Sequence, residues 1–207
     1  MKTDQRLRGE RVTVLGYDEM ARDHALALHR AGTKVAIGLP PQAASWARAC
    51  ADGFLPVATT SAVEDATIVV CVHDEDPAFL RELGLAPGTL VVLGHGLAIE
   101  TSSIELRGFD VAVVTRMHRG GECRVAVHRD VTGRALVRAM AFARAAFGQV
   151  SVEISTVGTE VDFELAVMER PGSVLALLGA SHHDEVDEDA TTSEWPSFAS
   201  LPERSRP

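Results

Sequence analysis

The sequence predicts a doubly wound α/β domain, and three observations carry that prediction. Short Val-rich runs, apolar on both faces, recur along the chain, helical stretches lie between them, and the first run ends in a glycine turn that opens a helix. The runs are "RVTVLG" from Arg11, "KVAIG" from Lys34, "ATIVVCV" from Ala66, "GTLVVLGHG" from Gly88, "DVAVVT" from Asp110 and "CRVAVH" from Cys123. Helices are predicted over Glu19–Ala31, Gln42–Asp52, Pro77–Leu83 and Thr132–Phe147. In the first of these, Ala21, Ala25 and Leu28 fall at i, i+4 and i+7 and make one apolar stripe for the sheet. Strands joined through helices give a mostly parallel sheet with right-handed crossovers, and such sheets take ligands outside the carboxyl ends of their strands.

The chain has 207 residues, 46% hydrophobic and 24% charged, enough for one domain with a real core and an appendage. Three parts are expected: a nucleotide-binding type of domain over residues 1–158, an apolar helical segment over 159–180, and an acidic, disordered tail over 181–207. The tail carries seven acids and two arginines, so it accounts for −5 of the net −9. Neither part has the basic surplus that nucleic acid requires. No apolar run has the roughly 18 residues of a membrane helix and no signal peptide is evident, so a cytoplasmic protein is expected. Cys50, Cys71 and Cys123 lack metal-knuckle spacing and read as reduced packing residues.

"GYDEMA" after the first strand sets Gly16, Asp18 and Ala21 at the three positions of a dinucleotide-binding turn. Gly16 permits the bend and Ala21 is an acceptable third residue. Asp18 stands where the backbone meets the pyrophosphate, and one like-charge pair at about 4 Å costs roughly 4 kcal/mol before screening. Arg22 is expected to pair with Asp18 and relieve it. Two readings stay open here: a crowded pyrophosphate seat, or a helix start capped by Asp18. The second strand ends in "GLPPQAASW", with neither an acid for a ribose nor an arginine for a 2′-phosphate, which leaves Ser45 as a candidate contact and gives no support to an NADPH preference.

"GYDEMARDHALALHRAG", "VAIGLPPQAASWARACADGF", "HDEDPAFL", "LGHGLAI" and "DVTGRALVRAMAFA", in this order, resemble the N-terminal domain of ketol-acid reductoisomerase over roughly Arg11 to Ala180. The resemblance implies a Rossmann-like domain that binds NAD(P)H, followed in that family by a helical domain that completes a two-magnesium site for alkyl migration and reduction of acetohydroxy acids. It implies a role for His95 and for the Asp74–Glu75 pair. Met117 stands where the family has a lysine, beside Arg116 and His118. On the family's metal helix it implies Asp162 for the aspartate and Ala166 at the glutamate, with Glu160 and Glu164 on other faces. Only 27 residues follow Ala180, so the helical domain is expected to be missing and magnesium binding is not expected, with Asp162 the one weak metal candidate.

The expected catalytic residues are therefore His95, as acid or electrophilic donor, and Asp162, which orients the substrate; a plain ion pair of Asp162 with Arg170 is the competing reading. The expected cofactor contacts are Gly16, Tyr17, Asp18, Ala21, Ser45, His73, Gly94 and Gly96. His24 reads as structural, His182 and His183 as an adventitious metal site, and His118 and His128 as residues without a separable role. The activity expected is a divergent oxidoreductase working on a small keto, imine or related metabolite with NAD(H), NADP(H) or another nucleotide. A non-catalytic binding module and a subunit completed by another chain remain alternatives. Phe163, Leu165, Val167, Met168, Val174, Leu175, Leu177 and Leu178 are too apolar for a free terminal segment, so a homodimer, or a complex with another protein, is expected through residues 159–180, with Pro171–Gly172 as a hinge.

Overall fold

The computed structural model describes residues 7–72, 79–80, 82–101, 108–117 and 121–168. Eight strands form one sheet: β1 (Arg11–Leu15), β2 (Lys34–Leu39), β3 (Val57–Ala58), β4 (Ile68–Cys71), β5 (Leu90–Leu93), β6 (Asp110–Arg116), β7 (Glu122–Arg129) and β8 (Ser151–Ser155). Their order is β3-β2-β1-β4-β5-β6-β7-β8. The first six are parallel. β7 turns back antiparallel to β6, and β8 runs parallel to β7. This is the doubly wound Rossmann-like class expected from the sequence, with β7 and β8 added at the β6 edge. The order reverses at β1, which pairs with both β2 and β4, and a ligand crevice in such sheets opens there.

Among the described residues six helices pack on the sheet: α1 (Glu19–Arg30), α2 (Trp46–Ala51), α3 (Thr59–Val63), α4 (Leu97–Thr101), α5 (Ala135–Phe147) and α6 (Val157–Met168). On one face, α1 and α5 cover Val12, Val14, Val70, Val92, Ala112 and Val125; the alanines along α5 let it lie close to the strands. On the other face a second core collects Leu15, Val69, Val91, Leu93, Val113 and Ala126 beneath Val63, Ala98 and Val157. The α1 stripe of Ala21, Ala25 and Leu28 is buried as its spacing predicts. His24 lies in the same face, where its Nδ1–H donates to the Met20 carbonyl at 2.6 Å and its ring stacks on Phe142. Burial holds its imidazole below the usual histidine range.

Several expectations need correction. The helix over Gln42–Asp52 starts only at Trp46, because Pro40 and Pro41 end β2 and Gln42 takes a left-handed backbone with φ +69°. β3 and β8 had no Val-rich signature: the first is two residues long, and the second, SVEIS, is a largely exposed edge strand. Cys71 and Cys123 are buried, but Cys50 is exposed and does not pack. Of the helix predicted over Pro77–Leu83, Phe79, Leu80, Glu82 and Leu83 are described and form 3-10 and turn backbone, not an α-helix, while Pro77, Ala78 and Arg81 lie outside the described residues, as do the tail and the Pro171–Gly172 hinge. Val161, Phe163 and Val167 of the apolar segment are buried, while Met168 is exposed.

At the N-terminal ends of the strands, α5 sends Arg138 inward. Its guanidinium donates to both oxygens of Glu10 at 3.1 and 3.2 Å, to the carbonyls of Gly88 and Thr67, and to Asp110 at 3.3 Å. Asp110, fully buried at the start of β6, also accepts from the Val131 and Thr132 N–H groups and the Thr132 hydroxyl. One side chain thus ties together the entries of β1, β4, β5 and β6. Although burial raises the Glu10 carboxyl, hydrogen bonds from Arg138 and Thr67 and the Arg138 charge outweigh it and hold it below the ordinary value.

Candidate functional site

The C-terminal ends of β1, β4 and β5 converge on the other end of the sheet. After β1, Gly16 takes φ +79°, a left-handed conformation that a side chain would strain, and its N–H donates to the Gly38 carbonyl. Asp18 then caps α1: its carboxylate accepts the Ala21 N–H at 2.7 Å, and the Ala21 side chain is buried against the sheet. Of the two readings left open by the sequence, the structure adopts the cap.

Tyr17, expected at the cofactor, faces inward instead. Its ring meets Phe54 edge-on, and its hydroxyl donates to Asp52 at 2.9 Å. Arg22 places its guanidinium on both Asp52 oxygens at 2.6 and 2.9 Å, so the partner anticipated at Asp18 is found at Asp52. The hydrogen bond from Arg22 holds the Asp52 carboxyl down at about 2. Burial, then the bond to Asp52, pushes the Tyr17 phenol well above its usual range. Together these three residues fasten the β1–α1 turn to the end of α2. Ser45, the residue before α2, is half-buried and makes no capping hydrogen bond.

β5 ends in Gly94-His95-Gly96. A Cβ on Gly94 would stand 3.2 Å from the Val72 backbone, and one on Gly96 would stand 3.0 Å from Val161 and 3.2 Å from Glu160, so each glycine is set by close packing with β4 or α6. His95 Nδ1 accepts the Ala98 N–H at 3.2 Å, which places the proton of the neutral ring on Nε2. Glu164 accepts the Gly96 N–H at 2.6 Å on one oxygen and the Leu97 N–H at 2.9 Å on the other.

On α6 the acids divide between two faces. Asp162, expected to orient substrate, is exposed, and Ala166 is half-buried. The acids turned toward the sheet and the His95 turn are Glu160 and Glu164, 1% and 3% exposed. They are four residues apart and share one helix face. Neither Glu160 oxygen makes a hydrogen bond of normal geometry among the described residues, although the Ser155 and Thr115 hydroxyls lie near it. Burial, reinforced by the Glu164 charge, pushes the Glu160 carboxyl above its ordinary value against the pull of Ser155, Arg124 and Thr115. Arg124 stands over the Phe163 ring at 5.2 Å and donates to Glu153 at 3.1 Å. The spacing of Glu160 and Glu164 was visible in the sequence; the direction of their helix face was not.

Of the remaining candidates, the two among the described residues do not join the site. His128 is exposed near the end of β7, at the far end of the sheet. Met117 closes the β6–β7 connection through its N–H to the Glu122 carbonyl. His73, Asp74, Glu75, His118, Arg170, His182 and His183 lie outside the described residues.

Residues 6–151 match the family described as acetohydroxy acid isomeroreductase, NADPH-binding domain. The chain belongs to this family. The resemblance to ketol-acid reductoisomerase is thereby borne out. A ketol-acid reductoisomerase (NAD(P)(+)) from Metallosphaera sedula is 31% identical over 207 residues, covering 87% of this chain and 60% of that protein. An NADH-preferring ketol-acid reductoisomerase from an uncultured archean superposes with a TM-score of 0.73 at 22% identity, over 84% of this chain and 60% of that one. A semialdehyde dehydrogenase NAD-binding protein from Cupriavidus necator, in complex with calcium and NAD, gives 0.67 at 15% identity, over 82% and 71%. The chain therefore spans about three-fifths of the reductoisomerases it matches.

The groups this family implies can be tested against these residues. The reductoisomerase-type turn keeps its bend at Gly16, but the Asp18 carboxylate sits on the N–H group at the start of α1 where a pyrophosphate would dock. A dinucleotide in the standard pyrophosphate pose does not fit this turn. For a divalent cation, both oxygens of Glu164 are committed to backbone N–H groups, and among the described residues no three His, Cys, Asp or Glu side chains converge as a metal site. No helix among the described residues is long and apolar enough to cross a membrane.

Proposed function

We propose that this chain is a divergent oxidoreductase-type domain of the reductoisomerase family. It takes a small keto, imine or related metabolite at the C-terminal end of β5 and works with NAD(H), NADP(H) or another nucleotide held off the α1 N-terminus. The observation that carries this reading is the state of His95: outside a strand end beside the point where strand order reverses, with Nδ1 accepting the Ala98 N–H and therefore Nε2–H as the donor. A donor in that tautomer hydrogen-bonds a carbonyl or imine and supports negative charge developing on it. Glu160 lies buried in the same region, its carboxyl raised above the ordinary value by burial.

Titration of the pure protein with NADH and NADPH, with and without magnesium, tests the reading through nucleotide fluorescence and melting temperature. Binding of either nucleotide supports it; no response to any nucleotide overturns it. A second reading, a non-catalytic module or a subunit completed by a partner chain, is favoured by the Asp18 cap. It predicts that wild-type protein ignores both nucleotides. The proposal includes a homodimer through residues 159–180, supported by the exposed Met168 at the end of α6. Sedimentation at micromolar concentration checks it, and a monomer there refutes it.

A further inference from the structure

We propose that Glu164 is a positioning residue for His95, acting as an internal cap on the turn that carries the ring. The inference rests on the reading above, in which His95 meets the substrate. The first N–H groups of a helix have no partner inside it, and α4 begins at Leu97, two residues after His95. Three successive N–H groups are accounted for here. Gly96 and Leu97 donate to the two oxygens of Glu164 at 2.6 and 2.9 Å, and Ala98 donates to His95 Nδ1 at 3.2 Å.

The two halves of this arrangement depend on each other. Two charge-assisted bonds from one carboxylate fix the peptide planes of Gly96 and Leu97. That orientation aims the next N–H, of Ala98, at the imidazole and so selects the ring tautomer. Glu164 reaches the turn because α6 approaches it closely: a Cβ on Gly96 would stand 3.0 Å from the Val161 side chain and 3.2 Å from the Val161 backbone nitrogen. A glycine on α4's threshold and a glutamate 68 residues later in the chain are thus two parts of one device. It also explains why this carboxylate need not hold a cation, since both of its oxygens already serve the protein.

The test is nuclear magnetic resonance on the full chain without nucleotide or substrate, comparing wild type with Glu164→Gln. The wild type is expected to show His95 as a single Nε2–H tautomer and protected Gly96 and Leu97 amides. Glu164→Gln keeps the shape but loses the charge and one acceptor. It is expected to mix the His95 tautomers and to speed exchange of those two amides by about tenfold or more, with Val70 and Val92 in the core unchanged. If Glu164→Gln does not fold, Gly96→Ala, which pushes α6 off the turn, is expected to give the same signature. Added magnesium chloride is expected to leave the Gly96 and Leu97 resonances in place. An unchanged tautomer and unchanged exchange in both variants, or displacement of these amides by magnesium, would overturn the proposal. Because no nucleotide is present, failure of nucleotide binding sinks the functional reading without touching this result, and the reverse also holds.

Discussion

At the N-terminal end of the sheet, the charges of buried Arg138 and Asp110 and half-buried Glu10 meet one another and several backbone groups at hydrogen-bond distance. At the C-terminal end, Glu160 is as deeply buried, yet its oxygens lack a normal hydrogen bond among the described residues and its charge lies near that of Glu164. The difference separates structural from functional burial. A carboxylate buried for stability is surrounded by donors, which lower its proton affinity. One buried among few donors raises its proton affinity and costs stability, and such groups gather where chemistry or binding needs them. Glu164 stands between these cases: buried, fully used, and used to shape the turn beside the candidate catalytic histidine.

The sharpest way to break the comparison is Arg138→Met. It strands Asp110 and Glu10 without their cation, and unfolding in urea is expected to show a loss of about 3–5 kcal/mol. A loss below about 1 kcal/mol would mean that the N-terminal network does not hold the sheet. Next in size is Asp18→Gly, which empties the α1 N-terminus. NADH and NADPH are expected to bind about tenfold or more tightly in fluorescence titrations, consistent with removal of a like charge from the pyrophosphate seat. Unchanged affinity would show that the Asp18 carboxylate is not what keeps a nucleotide off this turn.

Glu160→Gln removes a poorly partnered buried charge, and about 1 kcal/mol of added stability is expected at pH 7. The pH dependence sharpens the contrast. Glu160 has a raised folded-state pKa, so its contribution is full below the ordinary value of 4.5 and is lost as pH rises through its folded value. Glu10 has a lowered one, so its contribution is present above 4.5 and is lost as pH falls through its folded value. Melting curves across pH should lose the first slope in Glu160→Gln and the second in Glu10→Gln; identical profiles in the two variants would erase the distinction. The smallest effect concerns Tyr17, the single tyrosine of the chain. Absorbance titration reports this phenol alone: ionisation is expected well above pH 10 in the wild type and closer to 10 in Asp52→Asn. An unaltered midpoint in the variant would show that Asp52 does not hold Tyr17.

Much of the fold was legible in the chain because its central strands are buried on both sides. Valine runs such as Ile68–Cys71 and Leu90–Leu93 have no polar face to confuse the reading. β8 was not legible, since SVEIS alternates like a surface segment and pairs along one side at the sheet edge. Asp18 could be read as a capping residue, but only the bond to Ala21 chose that role. Asp162 could be singled out by residue type, but that its helix face is exposed followed only from the packing of α6.

By itself the sequence determined the doubly wound class, the family, the glycine turn with its carboxylate, and the placing of His95 after a central strand. These follow from local patterning and residue type. Tertiary structure alone decided that Arg22 serves Asp52, that Tyr17 faces the core, and that Glu160 and Glu164 rather than Asp162 approach the His95 turn. Those outcomes depend on which way a helix face turns and on groups tens of residues apart meeting in space. No periodicity encodes that meeting; packing against a particular sheet does.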